Sequence, residues 1–157
     1  MIEIVAANVA DAAEILALQK LCYQSEARLT NDFEIPPLLQ DQPSIECELA
    51  SLCFLKAVGD EAPHTGRIVG SVRARECEGT CHIGRLIVHP ESQNRGLGKR
   101  LMAHVEGLFP TASRFELFTG EKSVRNLHLY QKLGYRPFRT QVASHKTTLV
   151  FLEKSRA

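Results

Sequence analysis

One stretch of the sequence, LIVHPESQNRGLGKRLM at residues 86–102, limits most strongly what this chain can fold into. It reads as an apolar strand, a loop marked by Pro90, two glycines at 96 and 98, and the start of a helix. The first N–H groups of a helix have no partner within it, so such a loop offers backbone donors to an anion. Glycine lets the backbone approach that anion closely. The stretch therefore predicts a phosphate or pyrophosphate site.

Two nucleotide-binding motifs share this pattern, and neither fits. The dinucleotide fingerprint needs a third glycine where the chain has Leu101. The NTPase loop needs Ser or Thr after Gly-Lys, and here Lys99 is followed by Arg100. A nucleotide-binding protein stays a weaker alternative, and a plain tight turn between strand and helix is another.

Length and charge restrict the class of protein. The chain has 157 residues, of which 44% are hydrophobic, and this suits one folded domain over residues 1–157. A formal net charge of +1 does not indicate a nucleic-acid partner, and no apolar run reaches the ~20 residues of a membrane helix. The N-terminus lacks a basic segment before an apolar one. We expect a soluble cytoplasmic protein that binds neither nucleic acid nor membrane.

The five cysteines, at positions 22, 47, 53, 77 and 81, indicate no disulfide framework, because their number is odd and their spacing scattered. Cys77, Cys81 and His82 come close to a haem or metal motif, but the spacing exceeds C-x-x-C-H by one residue and no second ligand pair follows. We expect reduced thiols and no metal.

Hydrophobic periodicity predicts strands and helices in alternation. Strands are expected at 2–5, 53–58, 67–75, 81–88, 114–119, 138–144 and 147–152. Helices are expected at 9–27, 44–52, 97 to about 108, and 123–133. Pro36-Pro37 is expected to break the chain between the first two helices, and Gly134 suits the left-handed C-cap of the last. The predicted fold class is α+β, with a mixed, mostly antiparallel central sheet flanked by helices.

The residues around the two glycines resemble the acyl-CoA pyrophosphate motif of the GNAT superfamily, the acetyl-CoA-dependent N-acyltransferases. That motif reads Q/R-x-x-G-x-G/A after a strand ending in L-x-V-x-P, and the matching residues are Leu86, Val88, Pro90, Gln93, Gly96 and Gly98. A second family feature follows in order, Asn126-x-x-x-Tyr130-x-Lys132-x-Gly134-Tyr135. The order of strands and helices over nearly the whole chain is similar too.

The resemblance implies a sheet that splays open near Val88 and holds acetyl-CoA, the acyl donor, in the gap. Backbone groups of Leu86, Ile87 and Val88 would hold the acyl and pantetheine parts, and the N–H of Val88 would stabilise the oxyanion. The residues that would cradle the pyrophosphate are Asn94, Arg95, Gly96, Leu97, Gly98 and Lys99. The anion expected at the opening stretch is then the pyrophosphate of coenzyme A.

Acyl transfer to an amine requires a proton acceptor for the amine and a proton donor for the leaving thiolate. Tyr130 occupies the position of the general acid in many relatives, although a packed core tyrosine is the alternative. Asn126 lies four residues earlier on the same helical face and is expected to contact the coenzyme. Many relatives carry a further asparagine where this chain has Ser123. Lys132 is expected to face solvent.

The position at which several relatives carry a catalytic glutamate is His82 in this chain. An imidazole is a competent base at neutral pH, and a structural histidine is the alternative. Strand alternation would place His82 on the side of Leu86 and Val88 unless a bulge intervenes. Other candidates for the base are Glu34, Glu76, Glu78 and ordered water.

The sequence thus predicts an N-acetyltransferase that acetylates a primary amine of an unidentified acceptor. A small amine, an antibiotic, an amino acid and a protein N-terminus all fit this prediction. A non-catalytic acyl-CoA-binding or regulatory module on the same fold is the alternative. The last strands are expected to be able to pair two copies into a homodimer.

Overall fold

The structure is a computed structural model and describes residues 1–156. Within this part, seven strands form one sheet in the order β1-β2-β3-β4-β5-β7-β6. They are β1 Glu3–Ala6, β2 Cys53–Val58, β3 Ile68–Cys77, β4 Thr80–Val88, β5 Arg114–Gly120, β6 Arg136–Val142 and β7 Thr148–Ser155. All neighbours pair antiparallel except β4 and β5, which are parallel. The predicted α+β class and mixed, mostly antiparallel sheet are confirmed.

The described residues contain five α-helices: α1 Ala12–Thr30, α2 Pro36–Leu39, α3 Gln42–Ser51, α4 Leu97–Gly107 and α5 Val124–Lys132. A 3-10 turn at Val9–Asp11 precedes α1 and is capped by Asn8. The expectation of a break at Pro36-Pro37 is wrong, because both prolines occupy the first turn of α2, where a missing N–H costs nothing. No helix within residues 1–156 is long and apolar enough to cross a bilayer.

The helices form two layers, one on each face of the sheet. α4 and α5 bury Leu101 and Tyr130 in one apolar cluster against the sheet, and we call this side the α4 layer. α1 and α3 bury Ile15 and Ile45 in a second cluster on the opposite face, which we call the α1 layer. The sheet is therefore covered on both faces over β2, β3 and β4.

The two parallel strands in the middle of the sheet separate after a short paired segment. β4 and β5 pair only over Thr80–His82 and Arg114–Glu116. β4 then runs on to Val88 with β3 as its neighbour, while β5 continues along β7. The gap in the sheet therefore begins beyond His82 and reaches Val88, the region where the resemblance implied an opening.

A β-bulge interrupts β4 within the gap. Arg85 has a φ of 52°, which is left-handed and uncommon for a residue other than glycine. The pairing of β4 with β3 shifts register between Ser71 and Arg73, opposite this point. One extra residue on β4 thus faces a shorter stretch of β3, and it reverses the alternation of side chains beyond it.

The bulge changes which side chains of β4 share a layer. Before it, Cys81 and Ile83 pack in the α4 layer; beyond it, Leu86 and Val88 pack there instead. The expectation that His82 lies on the side of Leu86 and Val88 is therefore wrong. His82 projects on the α1 side. The extra residue reverses the alternation, so even-numbered side chains of β4 face the α1 layer before the bulge and the α4 layer beyond it.

Candidate active site

A cleft of about 310 Å³ opens at the gap between β4 and β5. Its walls come from α1, the end of β4, the loop before α4, the first turn of α4, and α5. The residues predicted to bind coenzyme that line it are Leu86, Ile87, Val88, Asn94, Gly96, Leu97, Gly98, Lys99 and Asn126. Arg95 is the exception, since its side chain lines a separate cavity of about 150 Å³ beside His64.

The first turn of α4 presents backbone donors to this cleft. The helix is preceded by Gly96 with a φ of 79°, a left-handed conformation in which L side chains are strained. The first hydrogen bond of the helix runs from Arg100 N–H to Gly96 O at 3.0 Å. The N–H groups of Leu97, Gly98 and Lys99 consequently have no partner within the helix, and the helix dipole adds positive potential there.

Gly98 keeps the cleft open. A Cβ placed on this residue would lie 3.5 Å from Leu129, 3.8 Å from Leu86 and 3.9 Å from Val88, which all line the cleft. These are ordinary contact distances, so the fold tolerates a side chain here. That side chain would nevertheless occupy the space between β4 and α5.

The end of β4 turns the backbone of Val88 toward the gap. His89 N–H donates to Val69 O at 2.8 Å. The adjacent pair, Val88 and Gly70, is therefore of the type that exchanges no hydrogen bonds in an antiparallel ladder. A residue in such a pair directs its N–H and C=O away from the partner strand, so those of Val88 face the side where β5 has separated.

Two side chains of the cleft wall donate hydrogen bonds to the carbonyl oxygen of Val88. Cys22 Sγ donates to it at 3.3 Å, and Gln93 Nε2 donates at 3.0 Å. Burial raises the pKa of Cys22 to about 12, so the thiol keeps its proton and acts as a donor. Gln93 is held in turn by Arg125, which donates to its side-chain oxygen. Because the carbonyl of Val88 already accepts these hydrogen bonds, its N–H is the backbone group that can bind a ligand.

Tyr130 approaches the cleft from the core. Its side chain is 6% exposed and packs in the α4 layer, 6.1 Å from the ring of Tyr135. Burial raises the pKa of Tyr130 above its usual value, and the nearby Tyr23 and Glu26 raise it further. Tyr130 is not itself a lining residue, whereas Tyr23 and Glu26 both line the cleft.

A carboxylate that the sequence did not indicate lies at the N-terminal end of α5. Glu26 Oε1 accepts hydrogen bonds from Ser123 Oγ at 2.8 Å and from Asn126 Nδ2 at 3.3 Å. Asn126 Nδ2 also contacts Thr119 Oγ1 at 3.3 Å. The only signal in the sequence was a polar residue four positions after Cys22 on the otherwise apolar face of a helix.

His82 lies at the fork where β4 and β5 separate, and it does not line the cleft. Its Nδ1 is 3.7 Å from Glu116 Oε2, and its side chain is 37% exposed. Glu116 is also bound by Arg114, whose Nη1 is 2.8 Å from Oε1. Any proton transfer between His82 and the end of the gap near Val88 would therefore need water.

The other predicted candidates for the base are remote from the cleft lining. Glu34 is exposed on the loop before α2. Glu76 accepts a hydrogen bond from Thr111, and Glu78 lies in the turn between β3 and β4. That turn precedes Thr80, so it is a whole strand away from Val88, at about 3.3 Å per residue.

The charged residues of the cleft are mostly basic. Lys99, Arg125 and Lys132 line it, and Glu26 is the acidic lining residue among those described. Lys132 is exposed, as expected, and it also contributes to the lining of the cleft. This surplus of positive charge and unpaired N–H groups suits a polyphosphate ligand.

The motif at Cys77, Cys81 and His82 does not assemble a ligand cluster. Cys77 is exposed and Cys81 is buried in the α4 layer. Among residues 1–156, the one group of three close donors is His64, His89 and Glu91, outside the cleft, with ligand atoms within 4.8 Å of one another.

Comparisons with known proteins agree with this architecture. The family model described as Acetyltransferase (GNAT) family matches residues 13–135. The Bacillus subtilis (strain 168) protein called UPF0157 protein YqkA is 26% identical over 133 residues, which make up 85% of this chain. The match covers 37% of that protein, so this chain spans little more than a third of its relative's length.

Several solved structures share the fold. The PaiA N-acetyltransferase of Thermoplasma acidophilum, solved with coenzyme A, superposes with a TM-score of 0.79 over 99% of both chains at 14% identity. NAA60 of Arabidopsis thaliana, solved with a bisubstrate analogue, gives 0.75 over 99% of this chain and 98% of that one at 16% identity. The IAA acetyltransferase of Bacillus cereus ATCC 14579 gives 0.72 over 99% and 100% at 20% identity.

Proposed function

The chain belongs to the acetyltransferase (GNAT) family, and on that basis we propose that it transfers an acetyl group from acetyl-CoA to a primary amine. One observation carries this proposal: the same cleft contains the unpaired N–H groups at the start of α4 and the N–H of Val88 in the gap between β4 and β5. The first set suits a pyrophosphate, and the second suits the oxygen of a thioester.

Acetyl-CoA acts here as the acyl donor and supplies the thioester. Leu97, Gly98 and Lys99 would bind its pyrophosphate through backbone N–H groups, with Lys99 and Arg125 adding positive charge. The backbone of residues 86–88 would align the pantetheine arm. The N–H of Val88 would stabilise the negative charge that develops on the thioester oxygen when the amine attacks.

Tyr130 would protonate the leaving thiolate. Its raised pKa keeps the phenol protonated at neutral pH, which is the state that a proton donor requires. Its side chain is 6% exposed and its hydroxyl makes no hydrogen bond within residues 1–156, so the proton is not committed to another acceptor. Asn126, on the preceding turn of α5, faces the cleft and would contact the coenzyme.

His82 would accept the proton of the amine through water. Its position at the fork of the sheet excludes direct contact with a group near Val88 on the α4 side, but a water chain along the gap can connect the two. Glu116 Oε2 lies 3.7 Å from Nδ1 and would orient the imidazole for this transfer.

The release of free thiol from acetyl-CoA, measured with a panel of primary amines, tests this function. Thiol release that depends on both the amine and Tyr130 supports a transferase. Tight acetyl-CoA binding without turnover on any amine would instead support the alternative, a non-catalytic acyl-CoA-binding module. A thermal shift with ATP but not with coenzyme A would support a nucleotide-binding protein.

Two further expectations are proposals of the same kind, a cytoplasmic location and pairing of two copies through the last strands. β6 is the outer strand of the sheet, and all its residues are exposed, so its edge is free to pair among the described residues. Sedimentation at increasing protein concentration tests the dimer, and fluorescence imaging of a tagged chain tests the location.

A further inference from the structure

Three side chains of metal-ligating type meet outside the cleft, at the smaller cavity. His64 comes from the loop between β2 and β3, whereas His89 and Glu91 come from the turn that leads from β4 toward α4. Their ligand atoms all lie within 4.8 Å of one another, and His64 and Glu91 line the cavity of about 150 Å³. Two imidazoles and one carboxylate are a ligand set that suits Zn²⁺ and related transition-metal ions.

The spacing of these side chains suits a shared ion. Nε2 of His64 lies 3.4 Å from Oε2 of Glu91. Two ligand atoms that are each about 2.1 Å from a tetrahedral Zn²⁺ are separated by about 3.4 Å. The rings of His64 and His89 lie side by side, with centroids 4.5 Å apart and planes inclined at 50°. The three side chains can therefore close on one ion with small movements.

Nε2 of His64 is an unsatisfied polar atom at this position. It is buried and has no hydrogen-bond partner among the described residues. Its distance of 3.4 Å from Glu91 exceeds the roughly 2.7–3.2 Å of a good N–H···O hydrogen bond. A buried polar atom without a partner costs free energy, and an ion bound to its lone pair would remove that cost.

His89 presents a lone pair on the side of Glu91. Its Nδ1 accepts a hydrogen bond from the backbone N–H of Glu91 at 3.1 Å, so this nitrogen carries no proton in the neutral ring. An ion bound at Nδ1 would replace that hydrogen bond. The N–H of Glu91, which belongs to an exposed residue of a 3-10 turn, would then pass to water. Binding to the neutral imidazole therefore requires no change of tautomer.

Backbone contacts hold both histidines in place without an ion. The N–H of His64 donates to Glu61 O at 2.9 Å, and its carbonyl accepts from Arg67 N–H at 2.9 Å. A Cβ on Gly59 would lie 2.4 Å from His64 O, so glycine is required for this close approach. The N–H of His89 donates to a carbonyl of β3 at 2.8 Å. Because the ligands are already positioned, an ion would lose little binding free energy to the ordering of loops.

The charge of the smaller cavity favours a cation. Its carboxylates belong to Asp60, Glu61 and Glu91, and Arg95 contributes one guanidinium. Asp60 already pairs with the N-terminal ammonium at 2.6 Å. Two carboxylates therefore remain against one guanidinium, and a divalent ion would reduce this excess of negative charge.

We propose that His64, His89 and Glu91 bind one divalent transition-metal ion of the zinc class, with water as the fourth ligand. The ion would tie the loop between β2 and β3 to the turn that connects Val88 with the start of α4. This inference does not depend on the proposed acetyl transfer, because no ligand of the ion belongs to the residues to which that reaction is assigned.

Calorimetric titration of untagged, chelator-treated protein with zinc chloride tests the site. Cys47 and Cys77 are exposed thiols that can also bind zinc, so the double variant Cys47→Ser/Cys77→Ser is the reference protein. We expect saturable binding of one Zn²⁺ per chain and a higher melting temperature in its presence. Mg²⁺, which prefers oxygen ligands, should give neither effect.

Three variants assign the ion to its ligands. His64→Ala and His89→Ala should each lower the Zn²⁺ affinity by roughly 100-fold or more, since even a residue that only supports a ligand contributes about 10–100-fold. Glu91→Gln, at a side chain that is 62% exposed, should fold and lower the affinity by roughly tenfold or more. His145→Ala, exposed and outside the group, is the matched control and should leave the affinity unchanged.

Hydrogen exchange measured by mass spectrometry locates the ion. Zn²⁺ should slow exchange in residues 59–66 and 89–92 of the reference protein, because the ion joins these two segments, and it should slow neither in His64→Ala. Circular dichroism confirms that each variant folds, and Glu91→Gln alone decides the assignment if a histidine variant does not.

A Kd weaker than about 1 mM for Zn²⁺ in the reference protein overturns the inference. An affinity that is unchanged in the folded ligand variants, or slower exchange confined to other segments, also overturns it. Nε2 of His64 would then be satisfied by water. None of these results bears on the proposed acetyl transfer, which is tested by thiol release.

Discussion

The two sides of the cleft are built in different ways. The side proposed to bind the coenzyme comes mainly from one continuous stretch, residues 86–99, and it presents mainly backbone N–H groups. The opposite side, around Glu26, is assembled from distant segments, as in the hydrogen bond between Glu26 and Ser123, which are 97 residues apart. A site that binds its ligand through backbone groups can therefore be predicted from a local sequence motif. A site built from side chains of distant segments can be recognised only in the folded structure.

The largest effect expected on the coenzyme side comes from Gly98→Val. The added methyl groups would fill the space between Leu86 and Leu129, so we expect coenzyme A affinity to fall by at least 100-fold, about 2.8 kcal/mol. Calorimetric titration measures this. Gly107→Ala is the control, since a Cβ there meets nothing within 4 Å and the site is remote from the cleft. Unchanged binding in a folded Gly98→Val protein would place the coenzyme elsewhere.

Tyr130→Phe should affect the chemical step and leave both binding sides intact. We expect kcat to fall by roughly 10²-fold with little change in acetyl-CoA affinity. The melting temperature should hold, because this hydroxyl has no partner within the described residues. Tyr135→Phe is the matched control: it removes a 2.7 Å hydrogen bond to Glu106, so it should lower stability by about 1 kcal/mol or more and keep kcat. Wild-type turnover in Tyr130→Phe would mean that this tyrosine only packs.

A smaller effect is expected at His82, which belongs to neither wall of the cleft. If it accepts the amine proton through water, kcat/KM falls toward acidic pH as the imidazole becomes protonated, and His82→Ala loses that limb with about a tenfold drop in kcat. His82→Glu should retain part of the activity. His104→Ala, on the exposed face of α4, is the control. A limb that persists in His82→Ala assigns the proton to Glu26, another carboxylate or water alone.

The smallest effect is an expected absence of titration. The chain has three tyrosines, and burial raises the pKa of Tyr23 to about 12 and that of Tyr130 and Tyr135 as well. The folded protein should therefore form no tyrosinate at pH 10, near which free tyrosine ionises. Because the pKa of each phenol is higher in the folded protein than in the unfolded chain, the free energy of unfolding decreases as the pH rises above the pKa of the unfolded chain. Tyrosinate absorbance should therefore appear together with the loss of the circular dichroism signal. Tyrosinate at pH 10 in the folded state contradicts the burial of these phenols.

Much of the fold could be predicted from the sequence, and so could most of the residues of β4 and of the start of α4 that line the cleft. The strand at 53–58 was predicted with its observed bounds, and the left-handed Gly134 was confirmed with a φ of 97°. These features depend on local pattern and backbone conformation, which periodicity and glycine report.

The features that the sequence did not reveal depend on contacts between distant segments. α2 was missed because a double proline reads as a break when the packing that stabilises a single helical turn is unknown. The bulge at Arg85 follows Gly84, an isolated glycine inside the strand that can mark a bulge; regular alternation ignored it and placed His82 in the wrong layer. Glu26 was not singled out, because its contact with Ser123 joins segments 97 residues apart.

A structure of the protein with acetyl-CoA would show whether the coenzyme binds in the gap between β4 and β5. We expect pyrophosphate oxygens within about 2.7–3.2 Å of the N–H groups of Leu97, Gly98 and Lys99. We also expect the thioester oxygen to accept from the N–H of Val88 and the sulfur to lie on the side of Tyr130. Coenzyme bound away from the gap between β4 and β5, or with its pyrophosphate off the start of α4, would contradict this expectation.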